Sequence, residues 1–356
     1  MLHRGLTFDD VLLVPNYNDF RSRSAVTTIA SLDRLTFNIP IIAANMDTIC
    51  GAEMARKMWT LGGLGIIHRF MPVDQNVEEY KKAAEPIYYG HSARGYLVPS
   101  HMDTPIIGVT VGVNEGLERA EALYTAGAWL FCVDVAHGHS RLTGKMVKAL
   151  RERFNQEIFI IAGNVATYAG ADYLAGCGAD AIKVGIGPGS VCTTRMKTGF
   201  GVPQITAIME CSRSRRPIIA DGGMRSPGDV VKALAAGASM VMLGGMLAGT
   251  LETPGEVIYP EGEGPVGPIK VFRGMASEEA HSDYYGDLPD WKTAEGVSIT
   301  VPARGSVEEV VKDVVGGLRS GLTYCGASNV TELQSRVEFI EVTRASYVEG
   351  TPHGKQ

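Results

Sequence analysis

The loop around Cys192 contains the residue types best suited to covalent chemistry. The cysteine lies in a polar, glycine-rich stretch and is followed by two threonines, by Arg195 and, shortly after, by Lys197. A thiol beside cations and free backbone amides has a stabilised thiolate, which is the form that acts as a nucleophile. The loop therefore predicts a nucleophilic cysteine, with a purely structural thiol as the alternative. The cysteines elsewhere in the chain are interpreted as structural.

Two pairs of adjacent glycines suggest a binding site for phosphate. Each pair follows an apolar run, and the pairs are Gly222 with Gly223 and Gly244 with Gly245. The missing side chains let backbone N–H groups approach phosphate oxygens, and α/β barrels often bind phosphate after strands seven and eight. The alternative is that these glycines only permit tight turns. The cysteine loop is not a dinucleotide-binding fingerprint, because Pro188 follows its second glycine.

Two aspartates and three histidines are further candidates for a polar pocket. Asp134 and Asp221 each end an apolar run, where a carboxylate accepts hydrogen bonds from ribose hydroxyls or caps the next helix. The sequence does not rank these two roles for Asp134. His137 and His139 are spaced by one residue, which is not the helical spacing of paired metal ligands, and no carboxylate cluster completes a metal site. These two histidines and His68 therefore predict a polar wall of a ligand pocket.

Eight short apolar segments must position these residues. They are rich in valine and isoleucine and apolar on both sides, which is typical of parallel strands covered on both faces. Amphipathic segments between them predict helices, three of which are expected to end at Gly127, Gly178 and Gly237, because glycine tolerates the left-handed conformation of a helix end. The predicted strands are Pro40–Met46, Leu64–Arg69, Pro105–Val111, Trp129–Ala136, Glu157–Asn164, Asp180–Gly187, Arg216–Gly223 and Ser239–Met246.

The alternation of strands and helices predicts an α/β fold, namely a (β/α)8 TIM barrel that forms a single catalytic domain over residues 1–356. An open doubly wound sheet is the alternative. In a barrel, the active site lies at the carboxyl ends of the strands, which is where Cys192, the aspartates and the glycine pairs fall. The arm at 7–29 and a long mobile flap after strand eight, at about 252–305, lie outside the repeat. The tail from Ala345 onward is expected to fray.

The composition excludes several other classes of protein. The chain has 356 residues, of which 45% are hydrophobic, and a formal net charge of −6. This apolar fraction is that of a chain with a substantial core, and an acidic surface repels nucleic-acid polymers. The six cysteines form no CxxC pair and the N-terminus lacks a signal-peptide pattern, which together predict a reduced, cytoplasmic protein. The apolar stretch 235–251 is interpreted as a strand and a turn, not as a membrane span.

Several motifs together resemble the IMP dehydrogenase / GMP reductase family, and the resemblance extends from Phe8 to about Arg344. This family has a (β/α)8 barrel and is usually homotetrameric. Its cysteine attacks C2 of a purine nucleotide, and a nicotinamide cofactor exchanges hydride at that carbon. The motifs are Gly-Pro-Gly-Ser-Val-Cys-Thr-Thr-Arg at 187–195, Ala-Asp-Gly-Gly at 220–223, Met-Leu-Gly-Gly-Met-Leu-Ala-Gly at 242–249, Ala-Ala-Asn-Met-Asp at 43–47 and Arg-Gly-Met at 273–275.

Two absences favour the reductase branch of this family. Dehydrogenases usually carry a pair of CBS modules after the second barrel unit, and the connection between Ala84 and Pro105 is too short for them. Dehydrogenases also carry an Arg-Tyr pair in the flap, which activates the water that hydrolyses the covalent intermediate. The equivalent stretch here, 281–286, reads His-Ser-Asp-Tyr-Tyr-Gly and contains no arginine. Segments 196–199 and 317–324 also resemble the reductases.

Three features depart from the reductase pattern. The stretch 134–140 is closer to that of bacterial dehydrogenases. Lys292 stands where reductases usually have an arginine beside the nucleotide, and Arg69 stands where they usually have a lysine near the cofactor. Arginine and lysine contact phosphates and planar groups differently, so these changes concern the specificity for base, sugar and cofactor.

The resemblance implies NADPH-dependent reductive deamination of GMP to IMP and ammonia, through a covalent thioimidate on Cys192. Thr194, aligned by Glu295, is implied to deliver the proton with which ammonia leaves, although dehydrogenases contain a similar pair. One alternative is an IMP dehydrogenase that lacks CBS modules and oxidises IMP to XMP with NAD. Another is a non-catalytic nucleotide-binding protein.

The same resemblance implies a set of ligand-binding residues and an oligomer. Ser22 and Arg23 match positions that reach the cofactor of a neighbouring subunit, which implies a homotetramer. The implied substrate-binding residues are Gly189, Ser190, Asp221, Gly222, Gly223, Gly244, Gly245, Gly274, Met275, Ala276, Lys292 and Gly296. The implied cofactor-binding residues are Ser22, Arg23, Arg69, Asp134, Val135, Ala136, Arg319 and Ser320. A monovalent cation, K⁺, is implied at Gly187, Gly189, Cys192 and Arg195, mostly through carbonyl groups.

Overall fold

A computed structural model of the protein describes residues 3–86, 104–260 and 267–352. The connection predicted to lack inserted CBS modules therefore lies mostly outside the described residues, at 87–103, and so does the part of the predicted flap at 261–266.

The strands and helices alternate through most of the chain. The strands are β1 (Val11–Leu13), β2 (Ala30–Leu32), β3 (Leu35–Phe37), β4 (Ile41–Ala43), β5 (Leu64–Ile67), β6 (Ile107–Val111), β7 (Leu130–Asp134), β8 (Phe159–Val165), β9 (Ala181–Val184), β10 (Ile218–Asp221), β11 (Met240–Leu243), β12 (Ile269–Arg273), β13 (Ser298–Pro302) and β14 (Phe339–Glu341). The helices are α1 (Ala52–Thr60), α2 (Val73–Ala84), α3 (Glu118–Thr125), α4 (Arg141–Phe154), α5 (Tyr168–Cys177), α6 (Thr194–Thr198), α7 (Gln204–Cys211), α8 (Pro227–Ala235), α9 (Glu278–Tyr285), α10 (Val307–Cys325), α11 (Val330–Arg336) and α12 (Arg344–Glu349).

Strands β4 to β11 form a closed barrel of parallel strands in chain order, and β11 pairs with β4 to close it. The predicted (β/α)8 barrel is confirmed, and the open sheet is wrong. All eight predicted strands are present, and each is shorter than predicted because residues at its ends belong to the connecting loops. The strand residues are buried on both faces, as the unbroken apolar runs predict. Ile41, Ile66, Phe131 and Phe159 have no exposed surface.

Glycine ends three of the helices in the predicted way. Gly127, Gly178 and Gly237 have φ angles of 103°, 109° and 115°. In the turn after α5, the Gly178 N–H donates to the carbonyl of Ala175 and the next N–H donates to that of Leu174, both at 3.2 Å. These bonds satisfy carbonyls at the end of the helix that have no partner within it.

Segments at both ends of the chain pack outside the barrel. Strand β1, from the N-terminal arm, pairs antiparallel with β14. The backbone N–H of Val342 donates to the carbonyl of Asp10 at 2.9 Å, and Thr343 caps the helix that follows. The prediction of a frayed tail is therefore wrong as far as Glu349, because this pairing holds the chain where α12 begins.

The segment predicted to be a flap contains regular structure. Strands β12 and β13 form an antiparallel pair, and α9 lies between them in sequence. The apolar stretch 235–251 contains β11 and the turn after it, as predicted. In the part of the chain that the structure describes, no helix has the length and apolar character needed to cross a membrane.

A pair of glycine-to-alanine substitutions tests the helix ends. Gly178→Ala places a Cβ at φ 109°, 3.3 Å from the Arg151 side chain, and should lower the free energy of unfolding by about 1–2 kcal/mol. Gly316→Ala, at an exposed position inside α10 with no atom within 4 Å of the new Cβ, should raise it by about 0.5–1 kcal/mol. Denaturant unfolding of both variants beside the parent protein measures these changes. A shift of the same sign in both variants would contradict the assignment of Gly178 as a left-handed helix end.

Candidate active site

Cys192 lies in the loop between β9 and α6, at the carboxyl end of the barrel. It is half-buried, whereas the five other cysteines are buried. Its thiol donates a hydrogen bond to the Thr194 hydroxyl oxygen, with 3.2 Å between the sulfur and the oxygen. The predicted nucleophile is therefore the accessible thiol of the chain, with a hydroxyl group in contact with it.

The segment before β13 pairs with the cysteine loop. The Thr193 N–H donates to the Glu295 carbonyl at 2.9 Å, and the Val297 N–H donates to the Val191 carbonyl at 3.0 Å. Cys192 and Gly296 thus face each other across a short antiparallel bridge. Backbone from a region a hundred residues later in the chain therefore forms one wall around the thiol.

Close backbone approach explains the glycines of this bridge. A Cβ on Gly296 would lie 3.1 Å from the Ser277 nitrogen, and a Cβ on Gly274 would lie 3.0 Å from the Val191 carbonyl oxygen. Both distances are tighter than ordinary Cβ contacts, so a side chain at either position would push the bridge apart. The predicted substrate residues Gly274, Ala276 and Gly296 are brought together beside the cysteine, since Glu295 N–H donates to the Ala276 carbonyl at 3.0 Å.

The structure brings Glu295, one member of the predicted proton-transfer pair, to the cysteine loop through a backbone hydrogen bond to Thr193, the residue before Thr194. Glu295 contacts the cysteine loop through its carbonyl, and no hydrogen bond joins its carboxylate to Thr194 among the described residues. Thr194 instead accepts the hydrogen bond from Cys192. The Thr193 hydroxyl is buried and has no hydrogen-bond partner among the described residues. The alignment of Thr194 by Glu295 stays a prediction.

The cations that follow Cys192 do not contact its thiol, which corrects the reasoning from their spacing. Arg195 donates to the Val202 carbonyl at 2.7 Å and packs against Gly187, where a Cβ would lie 2.6 Å from the Arg195 Cγ. Lys197 is exposed. Among the described residues, the one hydrogen bond given for the Cys192 sulfur is to Thr194, so proximity in sequence does not make either cation a partner of the thiol.

The predicted phosphate residues converge from three loops. Gly222 and Gly223 have φ angles of 87° and 85°, and a Cβ on Gly222 would lie 3.2 Å from the Gly189 nitrogen. A Cβ on Gly245 would lie 2.8 Å from the Ser190 hydroxyl oxygen. Tight turns and a phosphate cradle are therefore compatible, because Gly222 and Gly223 adopt left-handed backbone and the missing side chain of Gly245 leaves space beside Ser190.

Asp134 and Asp221 contact a buried lysine that is not among the predicted site residues. Lys183, on β9, donates to Asp134 Oδ1 at 2.6 Å, to Asp221 Oδ2 at 2.9 Å and to the side-chain oxygen of Asn164. Neither aspartate caps the following helix, because Ser140 caps α4 and Ser226 caps α8. The capping alternative is therefore wrong.

A sequence signal for this lysine was present. Lys183 is the charged residue in the middle of the apolar run Ala-Ile-Lys-Val, and a charged side chain on a fully buried strand requires a partner. The Lys183 side chain, 3% exposed, forms ion pairs with both aspartates at once.

The charges of this cluster stabilise one another. Burial alone would lower the pKa of the Lys183 ammonium, but Asp134 and Asp221 outweigh burial and raise that pKa above its ordinary value. Burial would likewise raise the pKa of the Asp134 carboxyl, and Lys183 outweighs it and holds that pKa below its usual range. The lysine and Asp134 are therefore both ionised at neutral pH.

Helix α9 docks on the barrel through two tyrosines. The Tyr285 hydroxyl accepts from Arg69 at 2.7 Å, and the Tyr284 hydroxyl accepts from Arg119 at 2.7 Å. Glu115 bridges the two arginines, at 3.0 Å from Arg69 and 2.5 Å from Arg119. Arg69, a predicted cofactor residue, thus lies at the top of the barrel and already contacts the flap.

The root of the flap is tied to the loop after β4. Arg273 forms ion pairs with Asp47 and with Asp283, each at 2.6 Å. The Asp47 N–H contacts the sulfur of Met275 at 3.2 Å, which places this predicted substrate residue beside the first barrel loop.

The histidines do not form a metal site. Among the described residues there is no group of three His, Cys, Asp or Glu side chains that could hold a metal ion. His137 and His139 are exposed, with ring centroids 6.4 Å apart. His68 is buried, and burial lowers its pKa to about 4, so its ring is neutral and accepts a hydrogen bond from the Phe70 N–H at 3.2 Å.

The other predicted ligand residues fall into two places. Val135 and Ala136 follow Asp134 in the loop after β7, and Gly244 lies against the sulfur of Met46. Ser22 caps the 3-10 helix Arg23–Ala25, which packs against α10. The second place consists of Ser22, Arg23, Arg319 and Ser320. Among the described residues, no contact joins these residues, or exposed Lys292, to the cysteine loop.

Comparison with known proteins decides the family. The family model described as IMP dehydrogenase / GMP reductase domain matches residues 5–353. The chain belongs to the IMP dehydrogenase / GMP reductase family. It is therefore an oxidoreductase of purine nucleotide metabolism, in a family that uses a nicotinamide cofactor.

Relatives within the family carry both names. An inosine-5'-monophosphate dehydrogenase of Nitrosopumilus maritimus is 35% identical, and the match covers 98% of each chain. The structure of an inosine 5' monophosphate dehydrogenase from Legionella pneumophila is 50% identical with a TM-score of 0.81, and covers 96% of this chain and 99% of its own. A cysteine-to-alanine variant of GMP reductase from Trypanosoma brucei, in complex with guanosine 5'-monophosphate, is 30% identical with a TM-score of 0.89, and covers 100% of this chain and 99% of its own.

Exposure and pKa together predict selective thiol modification. Burial raises the pKa of Cys50 and Cys132 and raises that of Cys211 to about 12, which disfavours their thiolates. Iodoacetamide should therefore alkylate Cys192 first in the folded protein, as read by peptide mass spectrometry. Cys192→Ser should remove this fast modification, and faster labelling of any other cysteine in the native protein would contradict the placement.

Proposed function

We propose that the protein is a GMP reductase, which converts GMP to IMP and ammonia with NADPH. The observation that carries this choice within the family is the flap helix. Residues 281–286 contain no arginine, and the hydroxyl groups of Tyr284 and Tyr285 are held by arginines of the barrel, so this helix offers the thiol no water-activating pair. A reductase needs no such water.

The chain's own residues suit the proposed steps. Cys192 attacks C2 of the guanine ring and forms a covalent thioimidate, while the Thr194 hydroxyl, 3.2 Å from the sulfur, passes a proton to the departing amine. Glu295 lies beside Thr193 through its backbone, from where we propose that its carboxylate aligns Thr194. Proton delivery matters because an amide-like anion is a poor leaving group.

The glycine loops suit the phosphate and the base of the substrate. We propose that Ser190 and the glycine pairs hold the phosphate through backbone amides, and that Asp221 accepts hydrogen bonds from the ribose. The bridge beside the thiol places further backbone groups near the base, and Lys292 is proposed there. The bridge residues proposed to contact the base are Gly274, Met275, Ala276 and Gly296.

The strand ends fit a nicotinamide cofactor. Asp134 keeps 24% of its side chain exposed and Arg69 keeps 18%, so a carboxylate and a guanidinium are accessible at the ends of β7 and β5. When bound, the cofactor supplies the hydride that C2 receives. We propose Arg69, Asp134, Val135 and Ala136 for one subunit's share of this site. The share from a neighbouring copy in a homotetramer is proposed to be Ser22, Arg23, Arg319 and Ser320.

The cysteine loop fits a monovalent cation. The carbonyls of Gly187 and Cys192 accept no hydrogen bond from the described residues, and carbonyl oxygens are the ligands that such cations take. We propose K⁺ on these two carbonyls together with those of Gly189 and Arg195.

A single catalytic barrel over residues 1–356, without CBS modules, is part of the same proposal. The match to the Nitrosopumilus maritimus dehydrogenase runs over 472 positions, although this chain has 356 residues, so that relative has residues with no counterpart here. The six free cysteines support a reducing, cytoplasmic location.

An IMP dehydrogenase is the second candidate. It is favoured by the 50% identity to the Legionella pneumophila structure of that name and by the dehydrogenase-like stretch 134–140. It would need a water-activating base other than a flap arginine, and Glu295 is the carboxylate nearest in sequence to the bridge. The intact Cys192–Thr194 contact disfavours a non-catalytic binding protein.

Absorbance at 340 nm separates the two reactions. The purified protein should consume NADPH when GMP is added, and Cys192→Ala should abolish this consumption while it retains nucleotide binding. The assay should include GMP, IMP, NADPH and NAD in all pairings. Formation of NADH with IMP, without consumption of NADPH by GMP, would establish the dehydrogenase instead.

Glu295→Gln tests the proposed proton transfer. If the carboxylate aligns Thr194, the substitution should lower kcat by about 10²–10⁴-fold and leave the KM for GMP nearly unchanged. Glu256→Gln, at an exposed position earlier in the same segment, is the matched control and should behave as the parent protein. Equal kcat values for the two variants would remove Glu295 from the mechanism.

A further inference from the structure

Lys183 lies at the centre of a polar cluster built from four neighbouring barrel strands. Asp134 comes from β7, Asn164 from β8, Lys183 from β9 and Asp221 from β10, and these strands are consecutive around the barrel. The three hydrogens of the ammonium are all used, by the three side chains around it. The lysine therefore has no donor left for a ligand, and its role must be exerted through its partners.

The neighbouring strand is shaped to admit this lysine. A Cβ on Gly163 would lie 2.6 Å from the Lys183 Cβ and 2.5 Å from its carbonyl oxygen, so a side chain there would displace β9. Asn164, the next residue, donates to the Gly185 carbonyl at 2.8 Å and to Asp221 Oδ2 at 2.8 Å. Two separate donors thus hold the same oxygen of Asp221.

This arrangement fixes part of each carboxylate and leaves part of each side chain exposed. Lys183 and Asn164 hold Asp221 Oδ2, whereas Asp221 Oδ1 accepts no hydrogen bond from the described residues, and 21% of the side chain is exposed. Lys183 contacts Asp134 through Oδ1, Asn45 forms a further side-chain hydrogen bond to this carboxylate, and 24% of the side chain is exposed. One buried cation therefore contacts both of the carboxylates that face the open end of the barrel.

The positive charge of the lysine matters as much as the hydrogen bonds by which it orients the two carboxylates. Without it, two partly buried carboxylates would face each other and the phosphate of an incoming nucleotide without compensation. A buried charge that loses its partner changes its ionisation or its position, and either change would move the acceptor oxygen away from the ligand.

We infer that Lys183 is a positioning residue, which orients Asp221 toward the substrate ribose and Asp134 toward the nicotinamide cofactor through one shared ammonium group. The inference rests on the ligand roles proposed above for these two aspartates. It predicts that one substitution on β9 weakens both halves of the site together, although Lys183 contacts neither ligand.

The test measures binding directly and in parallel with turnover. Lys183→Met should raise the dissociation constant of the nucleotide and that of the cofactor by about 10-fold or more each, because each aspartate loses a charge-assisted hydrogen bond. The KM values should rise with them, and kcat should fall much less. Lys183→Arg, which keeps the charge and the donors, should recover most of the affinity for both ligands. Lys148→Met, on the exposed face of α4, is the control for loss of a positive charge alone.

A double-substitution cycle links the lysine to its partner. In an Asp221→Asn background, Lys183→Met should weaken nucleotide binding by less than about 3-fold, because the contact it supports is already lost. In the same Asp221→Asn background, Lys183→Met should weaken cofactor binding as much as it does in the parent protein, since that effect passes through Asp134. Additive losses for the nucleotide would overturn the inference, and so would unchanged binding of both ligands in a folded Lys183→Met.

Two further outcomes separate this inference from the proposed reaction. Binding is measured with GMP, IMP, NADPH and NAD by calorimetry, so it does not depend on which reaction the protein catalyses. If the parent protein does not reduce GMP but Lys183→Met loses affinity for both ligand classes, the reductase proposal fails and the positioning role stands. If kcat falls more than about 100-fold at unchanged KM and unchanged affinities, the positioning role is overturned. If Lys183→Met does not fold, the Lys183→Arg and Asp134→Asn variants decide the question by the same measurements.

Discussion

Closure of the barrel between β11 and β4 is the constraint on which the site depends. Because every strand of a closed parallel barrel runs in the same direction, all eight carboxyl ends lie on one rim. The loops that begin there bring together residues far apart in sequence, such as Asp47, Asp134, Cys192 and Gly245. An open sheet from the same elements would separate the first and last of these loops by the width of the sheet.

A second backbone contact completes the site beside the rim. The short antiparallel bridge between Cys192 and Gly296 joins the nucleophile loop to the segment before β13. On the other side of that segment, α9 is held by Arg69 and Arg119, and β12 is held by Arg273 on Asp47. The flap is thereby continuous with the reactive thiol, and its position is set by charged and hydrogen-bonded contacts, in which Arg119 and Asp47 are largely buried.

The electrostatics of the site differ from those of the whole chain. The net charge of −6 disfavours long polyanions, but a single nucleotide is recognised over short distances by backbone amides and by fixed side chains. Lys183 neutralises part of the acidic charge within the barrel without exposing a basic surface. The lysine is buried and the two aspartates are partly buried, so their ion pairs are screened by salt less than those between exposed charges.

The barrel, the helix-ending glycines and the loops that carry the chemistry could be predicted from the order of the residues alone. Apolar runs, amphipathic periods and the tolerance of glycine for left-handed backbone are local properties, and Cys192 and the glycine pairs could be placed at strand ends from them. The family motifs added the chemistry that such loops perform. Three outcomes depend on the folded chain. Arg195 donates to the Val202 carbonyl, Asp134 and Asp221 bind a lysine instead of capping helices, and the carbonyl of Glu295, not its carboxylate, bonds to the cysteine loop. These outcomes depend on which strands are neighbours around the barrel and on the direction in which each side chain leaves its backbone, neither of which the linear spacing of residues specifies.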